Sequence, residues 1–363
     1  MDIVDATQEY EDWLAAALGA PLDSADLDYK HRLLADPVDP FPFFRGTYYR
    51  WAQHWLESAG PLAEAPRVLA VGDLHVENFG TWRDADGRLC WGVNDFDEAD
   101  QLPYTNDLVR LAASVRFARR SEALDLKLRD VCSAILDGYA RGMVAGGEPF
   151  VLEEQHPHLR AMAMAADREP LAFWEKMNKL LRRPEADPPR DAREALDEVM
   201  PARGLAIAYR ARPRAGVGSL GRARYVALAQ WAGGAVCREA KAAAPPASAW
   251  AAGITAHNQA AAATSRAIRA ADPFYRPGAG WVARRLAPRS SRIELSNLSA
   301  ADAGQVLTAM GAEVANVHLG TPGAAAAVLA DLAAQPAGWL ADAARSLSRP
   351  LEADWLAWRA AKR

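Results

Sequence analysis

The sequence predicts an α+β protein of two lobes, a small antiparallel β lobe and a larger helical one, and three observations point there. The run RARYVALAQW, Arg222 to Trp231, holds the β-formers Tyr225 and Val226, meets Gly233-Gly234 and returns as AVCREAK, ending at Lys241. That is the pattern of a strand, a tight turn and a second strand. Earlier, DADGRLCWGV, Asp84 to Val93, places an Ala85-Asp86-Gly87 turn before an apolar run, which predicts another hairpin. Around both lie long helical patterns, of which Ala300 to His318 carries an apolar stripe through Val306, Met310 and Val314.

In chain order, positions 1 to about 64 read as a helical leader in which Phe41, Phe43, Phe44, Tyr48, Trp51 and Trp55 are spaced to bury an aromatic face. Positions 65 to about 201 carry the Asp84 hairpin and then helices, including Asn106 to Arg119 and Leu124 to Val144. The polar, Pro-rich stretch Arg182 to Ala195 predicts a loop ahead of the next helix. Positions 202 to about 296 form the glycine-rich β lobe, with a helix expected over Ser248 to Ala271, and 297 to 363 return to helices.

The chain of 363 residues is long enough for two lobes and a sizeable core. A net charge of −4 supplies no basic field to attract nucleic acid. The basic clusters Arg182-Arg183 and Arg203 to Arg224 read as mostly solvated faces, the second placed to help with phosphates. Cys90, Cys132 and Cys237 are too far apart for a disulfide framework or a metal spacing, which suits a reducing cytoplasm. The acidic N-terminus lacks the pattern of a signal peptide, and no apolar run reaches the roughly 18 residues of a membrane span. A soluble cytoplasmic protein is expected.

The chemistry is concentrated in two linked segments, GDLHVENFG from Gly72 to Gly80 and NDFDEAD from Asn94 to Asp100. Asp73 is a candidate base, and Asn78 and Asp95 are candidate metal ligands that the intervening hairpin can bring side by side. Mg²⁺ takes hard oxygen ligands of this kind and leaves the rest of its shell to water and phosphates. His75 reads as a residue that shapes the loop, Asp97 and Glu98 as a pair of which one reaches a second metal and the other is solvated, and Arg45 in FFRG as a phosphate or carboxylate clamp or the member of a structural ion pair. Downstream, Gly216 to Gly221 spells GVGSLG. Glycines at 216, 218 and 221, with Ser219 between them, let backbone N–H groups approach phosphates, and Lys241 can neutralise phosphate charge. A dinucleotide-binding fold would open a helix at this point, where the sequence continues as a strand.

The spacing of Asp73, His75, Asn78 and Asp95 resembles the catalytic segment of the aminoglycoside and choline phosphotransferase branch of the protein-kinase-like superfamily. The resemblance implies that Asp73 is the catalytic Asp, Asn78 a magnesium ligand and Asp95 the counterpart of the metal-binding Asp of kinases. Asn106-Asp107-Leu108 is similar to the later Asp-Leu of that superfamily, whereas Val71 stands where its first His would be. In order, FFRG, GDLHVENFG, NDFDEAD, GVGSLG, Lys241, WVARRL (Trp281 to Leu286) and ANVHLG (Ala315 to Gly320) resemble the bacterial family called domain of unknown function 2252. That likeness covers roughly positions 30 to 320 and implies a two-lobed kinase-like fold in permuted order, the glycine lobe following the catalytic segment.

The resemblance implies an ATP- and Mg²⁺-dependent phosphotransferase acting on a hydroxyl-bearing acceptor, small molecule or protein, that no segment specifies. Kinases hold the Lys with a Glu on the next helix, but Ser248 to Ala271 contains no acid. Asp95 or Glu239 would have to anchor Lys241 instead. That departure keeps a nucleotide-binding module without turnover in view, beside nucleotidyl transfer on the same fold. A metal-dependent hydrolase built on Asp73, His75, Asp95 and Asp97 is the third reading, and it leaves GVGSLG unexplained.

Overall fold

The structure is a computed structural model that describes residues 1–122, 127–153, 155–165, 169–288 and 298–362. The expected boundary at 296/297 and the expected helix start at Leu124 lie outside the described residues. The chain begins with α1 (Ile3–Leu18), α2 (Ser24–Leu34), α3 (Phe41–Gly46) and α4 (Tyr48–Ser58). Asp2 caps α1 by accepting from the Val4 and Asp5 amides, which satisfies two of the N–H groups a helix start leaves free. The aromatic face closes as expected: Phe43, Phe44, Trp51 and Trp55 are all buried.

Four short strands follow, β1 (Arg67–Ala70), β2 (Phe79–Arg83), β3 (Leu89–Val93) and β4 (Asp100–Pro103). β2 and β3 form the hairpin that the Asp84 turn predicts, and β1 pairs with β4 in a second antiparallel ladder. Both ladders therefore brace the segments that carry Asp73 and Asp95. Next come α5 (Tyr104–Glu122), α6 (Leu128–Ala145), α7 (Pro157–Ala165), α8 (Pro170–Leu181) and α9 (Arg190–Glu198).

The second β region is one antiparallel sheet in the order β5-β6-β7-β9-β8, made of β5 (Ala208–Ala211), β6 (Arg224–Trp231), β7 (Gly234–Ala242), β8 (Arg276–Pro277) and β9 (Trp281–Leu286). Between β7 and β8 lie α10 (Ala247–Ala252) and α11 (Ala260–Arg266). The single helix expected over Ser248 to Ala271 is thus two short ones. Gly253, in a left-handed conformation at φ 64°, ends the first by capping the Ala249 and Trp250 carbonyls.

The helices α12 (Ala300–His318), α13 (Ala324–Ala334) and α14 (Trp339–Ala361) complete the chain. α12 packs tightly on α6, because Gly311 sits against the Ile135 carbonyl and Gly138 against that of Thr308. α14 returns to the leader, where Asp354 accepts from Arg50 Nε at 2.7 Å and lies 2.7 Å from His54 Nε2. One core therefore joins the leader, the short strands and the last helices. The five-stranded sheet has its own smaller clusters, with Phe173 and Met177 of α8 on Val226 and Leu228, and Leu196 of α9 on Ala227 and Ala240. So α8 and α9, expected on the helical side of a boundary at 201, cover the sheet instead. Their apolar residues bury against it.

The molecule is α+β, with small antiparallel sheets and helices elsewhere. Among the described residues no single helix is long and apolar enough to cross a membrane. The three cysteines are buried and unbridged.

Candidate active site

The turn that presents Asp73 is built by long-range hydrogen bonds. Gly72 adopts φ 79°, and a Cβ there would overlap the Glu98 carbonyl, so only glycine fits. The fully buried Asp107 accepts from the Val71 amide at 2.7 Å and the Gly72 amide at 3.0 Å. Asp107 is held in turn by His318 Nε2 at 3.2 Å, and His318 shares a hydrogen bond with the Tyr139 hydroxyl. A carboxylate from α5 and a ring from α12 thus set the backbone just ahead of Asp73.

Asp73 itself points one oxygen inward. Arg110 Nε donates to Oδ1 at 2.9 Å, its Nη2 donates to the same oxygen and to the Phe44 carbonyl, and its guanidinium lies 4.1 Å from the Phe44 ring centroid. The Arg110 side chain is fully buried, while that of Asp73 is 16% exposed. Burial lifts the Asp73 carboxyl above its ordinary range, against the pull of Arg110. The other oxygen, Oδ2, faces the glycine loop: a Cβ on Gly218 would lie 3.7 Å from it.

Asn78 lies beneath the same loop. Its Nδ2 donates to the Asp73 carbonyl at 2.9 Å, and its main-chain oxygen accepts from the Asn94 amide at 2.9 Å. The remaining Oδ1 is buried and accepts nothing among the described residues. An orphaned buried oxygen is costly unless something satisfies it. His75 is buried and accepts from the Glu77 amide through Nδ1, closing the short turn Val76–Asn78. Arg45 is ion-paired with Glu77, in keeping with its structural reading.

Asp95 and Asp97 take different roles. The Asp95 side chain is 43% exposed and lies 3.8 Å from Lys241 Nζ. Asp97 forms the direct ion pair with Lys241 and lies 3.6 Å from Arg222, with all three side chains mostly buried. Burial acts to raise the Asp97 carboxyl, and Lys241 and Arg222 together outweigh it and hold it low. Of the two anchors expected for Lys241, Asp95 is ion-paired with it at 3.8 Å, a looser contact than that of Asp97, while Glu239 is occupied by Arg212, Arg224 and Arg284. The strand register explains that cluster: Glu239 and Lys241 share a face of β7, with Arg284 opposite Glu239 and Arg224 opposite Lys241. Arg222 and Arg224, expected in solvated faces, are buried.

The glycine loop closes over Asp73. Gly216 and Gly221 have φ of 74° and 93°, and Val217–Ser219 form one tight turn in which the Ser219 amide donates to the Gly216 carbonyl. Ser219 Oγ is held by Arg224 Nη2 at 2.6 Å. Gly218 packs so near the Arg45 carbonyl that a Cβ would stand 3.2 Å from it. The chamber between the loop and Asp73 has a volume of about 50 Å³ and is lined also by Asn78, Asp95 and Asp97. It opens past Asn78 and Asp95 into a cleft of about 630 Å³.

The structure thus brings together Asp73, His75, Asn78, Asp95, Asp97, Arg45, Gly216, Gly218 and Ser219 around one chamber. Lys241 reaches it through Asp97, while Gly221 lies behind against Leu27. The sequence marks Arg222 only as part of a basic cluster and does not mark Arg110 or Arg284, whose partners are distant in the chain and leave no local signal.

The residues present fit Mg²⁺. Among the described residues no three His, Cys, Asp or Glu side chains converge as a metal site. One exposed carboxylate, Asp95, and Asn78 with its orphaned Oδ1 nevertheless line the same chamber, and oxygens of this kind suit a cation that completes its shell with water and phosphate oxygens.

A family model described as an uncharacterized protein conserved in bacteria (DUF2252) matches residues 25–187 and 147–361. No curated protein and no solved structure matches the chain.

Proposed function

We propose that this chain, which belongs to the bacterial family DUF2252, is an ATP- and Mg²⁺-dependent phosphotransferase of kinase-like fold with its lobes in permuted order. The observation that carries the reading is the convergence of Asp73, Asn78 and Asp95 with a glycine loop that lies far along the chain, around one chamber, where the buried Asn78 Oδ1 has no partner among the described residues. Convergence of this kind suits one phosphate site, and a hydrolase would need no such loop.

In this reading Arg110 fixes Asp73 through Oδ1, so that Oδ2 is free to accept a hydrogen bond from an acceptor hydroxyl. Transfer would form a bond from that hydroxyl oxygen to the terminal phosphorus and break the bond to the nucleotide. The hydroxyl proton would pass to Asp73, whose lifted pKa favours accepting it. Lys241 and the glycine loop would hold the phosphates, and Asn78 and Asp95 would hold Mg²⁺, which supplies charge neutralisation when bound.

A second reading, a nucleotide-binding module without turnover, is favoured by the lack of an acid over Ser248 to Ala271, where kinases carry the Glu that holds the Lys. Thermal unfolding with ATP, with and without Mg²⁺, tests the proposal when combined with an assay for ATP consumption. Mg·ATP at one hundred times its Kd should add about 2.7 kcal/mol of stability. Stabilisation with turnover across an acceptor panel is expected, stabilisation alone selects the second reading, and no stabilisation refutes both.

A further inference from the structure

The cleft of about 630 Å³ that opens beside Asp95 and Asn78 is dominated by arginine. Arg212, Arg269, Arg276, Arg284 and Arg285 line it, whereas its acids are Glu77, Asp95 and Asp272. Apart from the exposed Arg276, these guanidinium groups are packed or paired within the protein. Arg212 and Arg284 share the fully buried Glu239 with Arg224, three cations on one carboxylate. Arg285 lies 4.7 Å from the Phe274 ring centroid and donates to the Arg83 carbonyl at 3.2 Å.

Arg269 is the most telling. Its guanidinium lies 4.4 Å from the Trp82 ring centroid and 5.3 Å from that of Phe96, and its buried Nη1 has no hydrogen-bond partner among the described residues. A buried donor without an acceptor is costly, and guanidinium forks match oxyanions in two-point contacts. Asp272 lies 3.9 Å from Arg285 and Glu239 pairs with Arg212 and Arg284, yet the arginines lining the cleft still outnumber its acids, and that balance favours an anion within it.

We propose that this cleft seats the phosphate group of a phosphorylated, hydroxyl-bearing acceptor, with Arg269, Arg276 and Arg285 as its anchors. The inference rests on the phosphotransferase reading for the word acceptor, and on the cleft alone for the anion site. The cleft meets the chamber at Asn78 and Asp95, so a hydroxyl on the same molecule reaches Asp73 from the side of the metal residues. Preorganised arginines lower the ordering cost of binding.

The test is calorimetric titration of the full chain with inorganic phosphate, and with malonate in parallel, each with and without saturating Mg·ADP. The same titrations are made on Arg269→Gln and on Arg276→Gln, the latter at an exposed residue where the fold is not at risk. Phosphate should bind more tightly than malonate, should still bind when Mg·ADP is present, and should weaken at least tenfold in Arg269→Gln and severalfold in Arg276→Gln. Mg·ADP affinity should stay within about threefold in both variants. Competition between phosphate and Mg·ADP would overturn the proposal and give the cleft to the nucleotide, and so would unchanged phosphate affinity in the variants or tighter malonate binding. If phosphate binds as expected but the unaltered chain binds no Mg·ADP, the anion site stands, and both the acceptor assignment and the phosphotransferase reading fall.

Discussion

Removing Lys241 should reveal how tightly Asp97 depends on it. The Lys241 side chain is 6% exposed and that of Asp97 13%, and the two form a direct ion pair. Breaking a buried pair by deleting one partner typically costs about 3–5 kcal/mol. Here Arg222 remains 3.6 Å from Asp97, so the cost of Lys241→Met should fall to about 2–3 kcal/mol on that scale. An unfolding entropy of about 2.1 cal/mol/K per residue gives a chain of this length about 0.8 kcal/mol per degree, so the Tm should drop by about 3–4 °C. Asp97→Asn and the double variant complete a thermodynamic cycle, measured by urea denaturation. The coupling energy between the two positions should be about 2 kcal/mol, whereas independent sites add to within about 0.5 kcal/mol. Additive costs, or a cost for Lys241→Met below about 0.5 kcal/mol, the level of an ordinary surface change, would refute the argument that Asp97 replaces the helix Glu as the anchor of this Lys.

Two further outcomes follow from buried groups. Burial raises the Glu98 carboxyl from 4.5 to about 7 in spite of Arg222, so the folded chain keeps a proton there that the unfolded chain has already released. Its contribution is therefore full below about pH 4.5 and lost as the pH rises to about 7, on the order of 3 kcal/mol at most. Urea midpoints measured at about pH 5 and pH 7.5 should differ less in Glu98→Gln than in the unaltered chain, and an equal difference would place the slope elsewhere. In α12, Gly311→Ala should cost about 3 kcal/mol by forcing α6 and α12 apart, while Gly304→Ala, with nothing within 4 Å, should be neutral or stabilising. Equal effects at the two glycines would contradict the close helix contact.

The parts of the fold that were legible in the sequence are those fixed by neighbours along the chain. The helix Ala300–His318 and the turn at Gly233 stand where pattern and turn chemistry put them. What the pattern missed depends on distant surfaces. The alanine-rich run after Ser248 looks helical throughout, yet it breaks at Gly253. Arg222 and Arg224 read as solvated because arginines beside a glycine loop usually are, but Asp97, Glu98 and Glu239 converge from other segments and bury them. The grip of Arg110 on Asp73 and of Asp107 on the Gly72 turn comes from one face of α5, whose docking no local signal specifies.

The central claim is that Asp73 works on an acceptor while other residues hold the nucleotide. The most direct measurement is Asp73→Ala, with ATP affinity taken by calorimetry and phosphate transfer or release followed on the same preparation. Interactions that count mainly in the transition state lower turnover and spare binding. The account predicts Mg·ATP affinity within a few-fold of the unaltered chain, together with loss of turnover. Loss of nucleotide binding in Asp73→Ala, or turnover that survives it, would contradict the role assigned to Asp73.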